Sequence, residues 1–362
     1  MRQKLIVHVD TQSWFIRPNN TDWRYMKTIK GMETFIPVEF VYPNDSIDSF
    51  LESSHYIRSR LGLISLAEAE NLIRNVKLRY GSQRPDVVLS HRRLPVDTDG
   101  VPCVWQYAVI DPDMQMSAGC DLRHVERQYA RIEEALGHAA ALQVSTVAEA
   151  VRHKQVLPSL TQDIFPVPFF LPHVEAISRA EIRSKHQQDS QIKVLFVGRE
   201  GRRKGLDIVF GALAGLSESA RRLIDLTVVC SFADGAVETP AGVNVQLIKA
   251  LPASDVQALM RSSHVFIMPS RFESFGFTLV EAMAAGCCVI GPDWEVQKEI
   301  LDGENAGLNV DARVESVALA LERVFDRQLR SNLAEAAVDR FEHVYSARQV
   351  SKKYFDMLSS VV

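Results

Sequence analysis

The sequence predicts an α/β protein made of two Rossmann-like domains, and three observations carry that expectation. Strand-like apolar runs alternate with helical periodicity almost throughout, the pattern of parallel sheets joined by crossover helices. At 362 residues the chain is too long for one ordinary α/β core, so two domains are expected. A proline-rich segment, Phe165–Pro172 (FPVPFFLP), opposes helix continuation near the middle of the chain and suits an ordered connector.

In the first half, strands are expected at Lys4–Val9, Asp86–Leu89, Cys103–Tyr107 and Leu142–Ser145, with amphipathic stretches at Ile64–Arg79 and Leu122–Leu142. Residues Glu181–Ser190 are polar and read as a hinge or surface turn. A second series starts at Val194–Val197 and runs through Leu226–Cys230, Val243–Leu247, Val265–Met268 and Val289–Gly291. Helical segments at Gly205–Leu216, Ser254–Arg261, Phe277–Gly286 and Val314–Phe325 separate these strands. The expected domains are residues 1–170 and 171–345, followed by a terminal segment, residues 346–362. Open α/β sheets bind ligands beyond the carboxyl ends of their strands. Two such domains facing each other would place a site in the cleft between them.

Composition narrows the function classes. Hydrophobic residues make up 46% and charged residues 24%, an ordinary globular balance that argues against large-scale disorder. A formal net charge of −4 argues against a dedicated nucleic-acid binder. The cysteines (Cys103, Cys120, Cys230, Cys287 and Cys288) form no CxxC spacing and no disulfide framework, and those in apolar runs are expected to be reduced and buried. The opening MRQKLIVHVD is too short in apolar residues for a signal peptide. No stretch approaches the roughly 18 apolar residues of a membrane helix. A cytoplasmic location is expected, with peripheral attachment to a membrane face left open.

Two features carry chemistry. The first is VLFVGREGRRKGLDIVF, Val194 to Phe210: a strand ends at Gly198, a basic loop follows, and a helix begins near Gly205. Backbone N–H groups at that helix start, with Arg199, Arg202, Arg203 and Lys204, would hold a pyrophosphate. A solvated basic turn is the competing reading. The glycines Gly198, Gly201 and Gly205 match neither GxGxxG nor a GK[ST] phosphate loop, so the basic side chains would have to do the binding.

The second feature is more specific: MPSRFESFGFTLVEAMAAGCCVIG, Met268 to Gly291. A strand runs into a loop holding Glu273, Ser274, Phe275 and Gly276, and the next helix, from Phe277, carries Glu281. Gly276 lets the backbone turn tightly and leaves amides free at the helix start. One carboxylate near a helix N-terminus merely offsets the macrodipole. That role does not account for a loop carboxylate, a glycine turn, a helical carboxylate and a small-residue helix occurring together.

This stretch resembles the donor-site signature of the retaining glycosyltransferases of family 4, which have the GT-B fold. The family pattern is approximately PSxxEsfGxxxxEAmaaGxPVI, and PSRFESFGFTLVEAMAAGCCVIG follows it closely. Gly198-Arg199 and Lys204-Gly205 resemble the family's GR…KG element, in the expected order and half of the chain. The resemblance implies a nucleotide-diphospho-sugar donor and a glycan or lipid-linked glycan acceptor. It implies that Arg199 and Lys204 offset charge on the leaving diphosphate and that Glu281 accepts hydrogen bonds from ribose hydroxyls. Glu273 would lie beside the donor sugar, and the amides near Phe275–Phe277 would touch the sugar or distal phosphate, with Gly198 and Arg203 lining the site. Cationic side chains then take the place of a metal, and no cofactor is expected. Retention is ascribed in the family to front-face attack, which makes Glu273 a donor-positioning residue. The terminal helix, Ala347–Leu358, is expected to cross back onto the first domain.

The first domain departs from the family pattern. The usual Gly-Gly loop after the first strand is replaced by Thr11-Gln12-Ser13-Trp14, and the strand at Val101–Ala108 lacks a terminal histidine. RPDVVLSH resembles the family's PDVVHxH strand, which would turn His91 toward the cleft; an ordinary loop histidine is the alternative. Trp14, Trp23 and Trp105 are sugar-stacking candidates or packing residues, and packing is the commoner role. Arg58, Arg60, Arg74, Lys77 and Arg79 would meet anionic headgroups or simply face solvent. Asp97-Thr98-Asp99 is literally DxD, but it precedes a Gly-Val-Pro turn and reads better as a solvated loop than as a metal site. A sugar-nucleotide epimerase and a donor-binding pseudoenzyme or assembly partner remain as alternatives. A dehydrogenase ranks below both, because the glycine spacing is wrong.

Overall fold

A computed structural model describes residues 4–11, 28–41, 80, 84–91, 97–106, 121–187, 191–231 and 238–362. The stretch Ile64–Arg79, with Trp14, Trp23, Arg58, Arg60, Arg74, Lys77 and Cys120, lies outside these residues. The chain divides into two compact units, one of Met1–Val109, Leu122–Pro172 and Ala347–Val362, the other of Ile110–Asp121 and His173–Ser346.

The first unit contains a parallel sheet of β1 (Leu5–Thr11), β2 (Val38–Val41), β3 (Val87–His91), β4 (Cys103–Gln106), β5 (Ala141–Val144) and β6 (Asp163–Pro166), in the order β2-β1-β3-β4-β5-β6. Parallel strands covered on both faces read as continuous apolar runs, and β4 and β5 are buried at every position. Pro166 ends β6, which is an edge strand where a missing N–H costs little. Helices α1 (Leu122–Ala135) and α2 (Val147–Val156) flank β5 in sequence. The helix expected to reach Leu142 stops at Ala135, continues as one 3-10 turn to His138, and gives way to β5 at Ala141.

The last helix, α11 (Ala347–Ser360), completes this unit. Val350, Tyr354, Met357 and Leu358 share one apolar cluster with Val7, Val9, Val87, Leu89 and Val104. A buried polar chain fixes its register. Gln106 Nε2 donates to the Tyr354 hydroxyl at 2.6 Å, that hydroxyl donates to Gln143 Oε1 at 3.2 Å, and Gln143 Nε2 donates to the Val167 carbonyl at 2.5 Å. Trp105 is fully buried in the sheet core, so its role is packing.

The second unit begins with α3 (Arg179–Gln187), where the sequence reads as a polar hinge. The correction has a local cause. Ser178 and Glu181 form a capping box: the Ser178 amide and hydroxyl donate to Glu181 Oε2 at 2.8 and 2.7 Å, and the Glu181 amide donates back to Ser178 Oγ at 3.3 Å. Ile182, one turn on, is buried with Ala334 and Val338. Beyond it lie β7 (Ile192–Gly198), α4 (Leu206–Gly215), α5 (Glu218–Arg222), β8 (Ile224–Cys230), β9 (Asn244–Ile248), α6 (Ala253–Ser262), β10 (Val265–Ile267), α7 (Phe277–Ala284), β11 (Cys288–Pro292), α8 (Glu295–Ile300), β12 (Leu308–Val310), α9 (Val314–Arg323) and α10 (Arg327–Arg340). The parallel sheet has the order β12-β11-β10-β7-β8-β9. Strand order reverses between β7 and β10, which opens a crevice at their carboxyl ends. Cys103, Cys230, Cys287 and Cys288 are free and buried.

Under α3 sits a buried basic cluster whose hydrogen bonds, among the described residues, reach no carboxylate. Arg330, only 2% exposed, donates to the Val324 carbonyl at 2.7 Å and, through Nε, to His186 Nδ1 at 3.3 Å. His186 Nε2 meets the Gly286 carbonyl at 3.1 Å, and His264 lies between the Lys193 amide and the Lys185 carbonyl, at 2.9 Å from each. Burial, reinforced by Lys185 and Arg330, pushes His186 down to about 3 and His264 down to about 4. The unfolded chain takes up these protons near pH 6.5 and the native state does not. Their stabilisation is therefore complete above that pH and is lost as pH falls toward 4 and then 3. Each unit of depression is worth about 1.4 kcal/mol. Wild type should accordingly lose its stability advantage over His264→Gln, which keeps one donor and one acceptor, as urea unfolding is repeated from pH 7 down to 4.5.

Candidate functional site

The crevice between β7 and β10 is lined by two loops, each ending in a glycine that starts a helix. Gly205 precedes α4 with φ +82° and Gly276 precedes α7 with φ +93°, and neither glycine can cap its helix with a side chain. A Cβ on Gly205 would stand 2.3 Å from the Pro269 carbonyl oxygen, so the two loops touch where only glycine fits. At α4 the first amides are already used, since the Leu206 amide donates to the Gly201 carbonyl at 2.8 Å and the Asp207 carboxylate accepts from the Asp207 and Ile208 amides; the α7 start is the better setting for a bound anion.

Polar contacts join the loops along their length. Lys204 Nζ and the Glu273 carboxylate form an ion pair, with 12% and 9% of the two side chains exposed. The Arg271 amide donates to the Arg203 carbonyl at 2.9 Å. The Arg271 guanidinium reaches the Arg202 carbonyl at 2.6 Å and grips Asp207 with two bonds of 2.8 Å. Arg203 is taken up by bracing: it pairs with Glu200 at 3.1 Å, donates to the Phe272 carbonyl at 3.0 Å, and lies over the Phe272 ring. A Cβ on Gly198 would fall 2.8 Å from Lys204 Cγ, so this glycine makes room for the lysine stem.

The remaining predicted residues sort by exposure. Arg199 is exposed, and among the described residues its guanidinium has no partner. Ser274 and Phe277 are exposed, whereas Phe275 is 1% exposed and anchored edge-on between Phe277 and Tyr345. Phe275 thus offers a ligand its backbone, not its ring. Glu281 is half-buried on α7, and desolvation alone pushes its carboxyl up to about 7. No hydrogen bond from a described residue offsets that loss of water. Arg271, Asp207 and Gln297 were missed in the sequence, because their partners lie on other segments and no local pattern marks them.

In the first unit, His91 ends β3 beside the reversal of strand order at β1. Burial holds its imidazole below the ordinary value, and a hydrogen bond with Gln106 works the other way. Asp97-Thr98-Asp99 is a tight turn, as the solvated-loop reading expects. The Asp99 amide donates to Asp97 Oδ1 at 2.8 Å, Thr98 Oγ1 donates to the Val101 carbonyl at 2.6 Å, and Arg84 holds the Asp99 carbonyl at 2.6 Å. Among the described residues no group of three His, Cys, Asp or Glu side chains gathers to hold a metal ion, and no helix is long and apolar enough to cross a membrane.

Residues 178–340, which contain both loops, match the family described as glycosyl transferases group 1. Over that stretch the chain is similar to a group 1 glycosyltransferase domain. Over 184 residues the chain is 31% identical to the D-inositol 3-phosphate glycosyltransferase of Corynebacterium aurimucosum, covering 46% of this chain and 43% of that protein. Over 177 residues it is 33% identical to the phosphatidyl-myo-inositol mannosyltransferase of Mycobacterium leprae, covering 46% and 47%. The matched region spans less than half the length of each of these relatives. Sucrose-phosphate synthase from Thermosynechococcus elongatus superposes with a TM-score of 0.68 at 14% identity, over 99% of this chain and 98% of that one. That likeness shows the GT-B fold, with its two parallel-sheet α/β domains, while the sequence similarity is concentrated in residues 178–340.

The Lys204–Glu273 pair makes a stability claim that separates its structural from its chemical role. Removing one partner of a buried pair strands the other, at a cost of about 3–5 kcal/mol. Urea unfolding should show Lys204→Met losing stability of that order and the double variant Lys204→Met with Glu273→Gln recovering most of it. A double variant no more stable than the single one would contradict the burial described.

Proposed function

We propose that the protein is a retaining glycosyltransferase that moves a hexose-type sugar from a nucleotide-diphospho-sugar to a glycan or lipid-linked glycan acceptor, with cationic side chains in place of a metal. The observation that carries this reading is the Lys204–Glu273 pair held between two glycine-started helices at the switch point of the second sheet. The names of relatives, a lipopolysaccharide core biosynthesis glycosyltransferase and an N,N'-diacetylbacillosaminyl-diphospho-undecaprenol alpha-1,3-N-acetylgalactosaminyltransferase, support a glycan or lipid-linked glycan acceptor.

The chemistry follows from charge. As the sugar–phosphate bond breaks, negative charge collects on the departing diphosphate. Arg199, exposed and unpaired among the described residues, and Lys204 meet that charge together with the α7 amides. Glu273 keeps Lys204 extended before the donor arrives and then lies beside the donor sugar. Front-face attack lets the departing phosphate oxygen take the acceptor proton, so no separate carboxylate base is needed. Glu281 accepts hydrogen bonds from the ribose hydroxyls, which compensate the water its carboxylate has lost.

A thermal-shift screen against UDP, GDP, ADP and their sugars tests the reading first, because selective binding raises the melting temperature. Slow donor hydrolysis is expected for the matching sugar nucleotide, and Lys204→Ala should cut turnover about 100-fold. Interconversion of sugar isomers without acceptor would replace the transferase by an epimerase, and binding without turnover would leave a pseudoenzyme.

Glu281 adds a pH signature. Its carboxyl is protonated below about 7 in the free protein, and only the ionised form accepts two hydroxyl protons. Calorimetric affinity for the matching sugar nucleotide, whose diphosphate has no ionisation in this range, should therefore fall as pH drops below 7 in wild type and stay flat in Glu281→Gln, with Glu281→Ala weaker throughout.

A further inference from the structure

The loop that follows β10 is oriented by a side chain from outside the motif. Gln297, on α8, has no solvent exposure. Its Nε2 faces three successive carbonyls, at 3.0 Å from Phe275 O, 3.3 Å from Ser274 O and 3.4 Å from Glu273 O. The first is a full hydrogen bond and the other two are longer, weaker contacts. A trans peptide sets each carbonyl antiparallel to the N–H of the next residue. Gathering these three carbonyls on one side turns the amides of Ser274, Phe275 and Gly276 to the other. Gly276 then takes φ +93°, and an αL residue after such a run curls successive N–H groups into an anion-binding concavity.

The amide of Gln297 is also poorly matched on its other side. Its Oε1 is buried and has no hydrogen-bond partner among the described residues. A buried acceptor left unsatisfied burdens folding, and an apolar side chain of the same length would remove that burden. What such a side chain would lose is the contact of Nε2 with the three carbonyls.

We propose that Gln297 is a positioning residue for the donor: by pinning the carbonyls of residues 273–275 it aims the amides of residues 274–276 at the distal phosphate of a nucleoside diphosphate. The inference rests on the donor-site reading above. It assigns Gln297 to the distal phosphate, whereas Glu281 serves the ribose. The two groups should therefore separate by ligand.

Calorimetry with UMP, GMP and AMP against UDP, GDP and ADP reads the difference. For the base that wild type prefers, Gln297→Met should bind the monophosphate within twofold of wild type and the diphosphate about tenfold more weakly. Gln297→Glu, whose carboxylate faces the same carbonyls, should lose more of the diphosphate preference. Gln297→Asn, too short to reach, gives the same reading should the methionine variant fold poorly. If wild type binds none of the diphosphates, the donor reading fails and takes this inference with it. If wild type prefers the diphosphate and Gln297→Met keeps the full preference, or weakens both ligands equally, only the positioning role is overturned.

Discussion

The second domain is organised around the ion pair of Lys204 and Glu273. Each residue sits at the carboxyl end of one of the two strands where the sheet order reverses, and each is almost wholly removed from solvent. A lone charge at that depth would be costly, so each residue needs the other to be there at all. Their closeness requires the loops to touch, and that contact requires Gly205, since any Cβ would strike the Pro269 carbonyl. The Arg271–Asp207 grip and the bracing by Arg203 then hold the backbone in the register the pair demands. A carbonyl contact at a glycine thus decides where a lysine and a glutamate meet.

The same arrangement suits a ligand richer in negative charge than Glu273. The glycine start of α7 has no side-chain cap, while Arg199 stays exposed and Glu281 stays half-desolvated. Each of these features is unfavourable or neutral for folding alone. A diphosphate joined to a ribose would relieve them together: the amides and cations gain an anion, and the carboxylate gains hydroxyl donors. Contradictions of this kind, tolerated locally and resolved by one ligand, are expected where function competes with stability.

Much of the fold was legible from residue order. Continuous apolar runs located β7, β8, β9, β10 and β11 to within a residue or two, and the PSRFESFG…E pattern placed Glu273 before a glycine-started helix and Glu281 within it. Where the reading failed, the reason was local chemistry taken for composition. Glu181–Ser190 is polar, yet Ser178 and Glu181 cap a helix whose single buried face rests on α10. Arg203, expected at the phosphates from its neighbours in the chain, also braces Phe272, a contact that no local pattern announces.

By itself the sequence determined the alternation of strand and helix, the glycines that must adopt positive φ, and which side chains carry charge near the end of a strand. These are properties of neighbouring residues, set by sterics and periodicity within a few positions. Only the tertiary structure decided which of those charges is spent internally and which stays exposed, because partners such as Asp207 and Arg271, or Gln297 and the carbonyls of residues 273–275, are brought together by strand crossover. Hydrogen bonding and burial depend on distance in space, and no spacing along the chain encodes it.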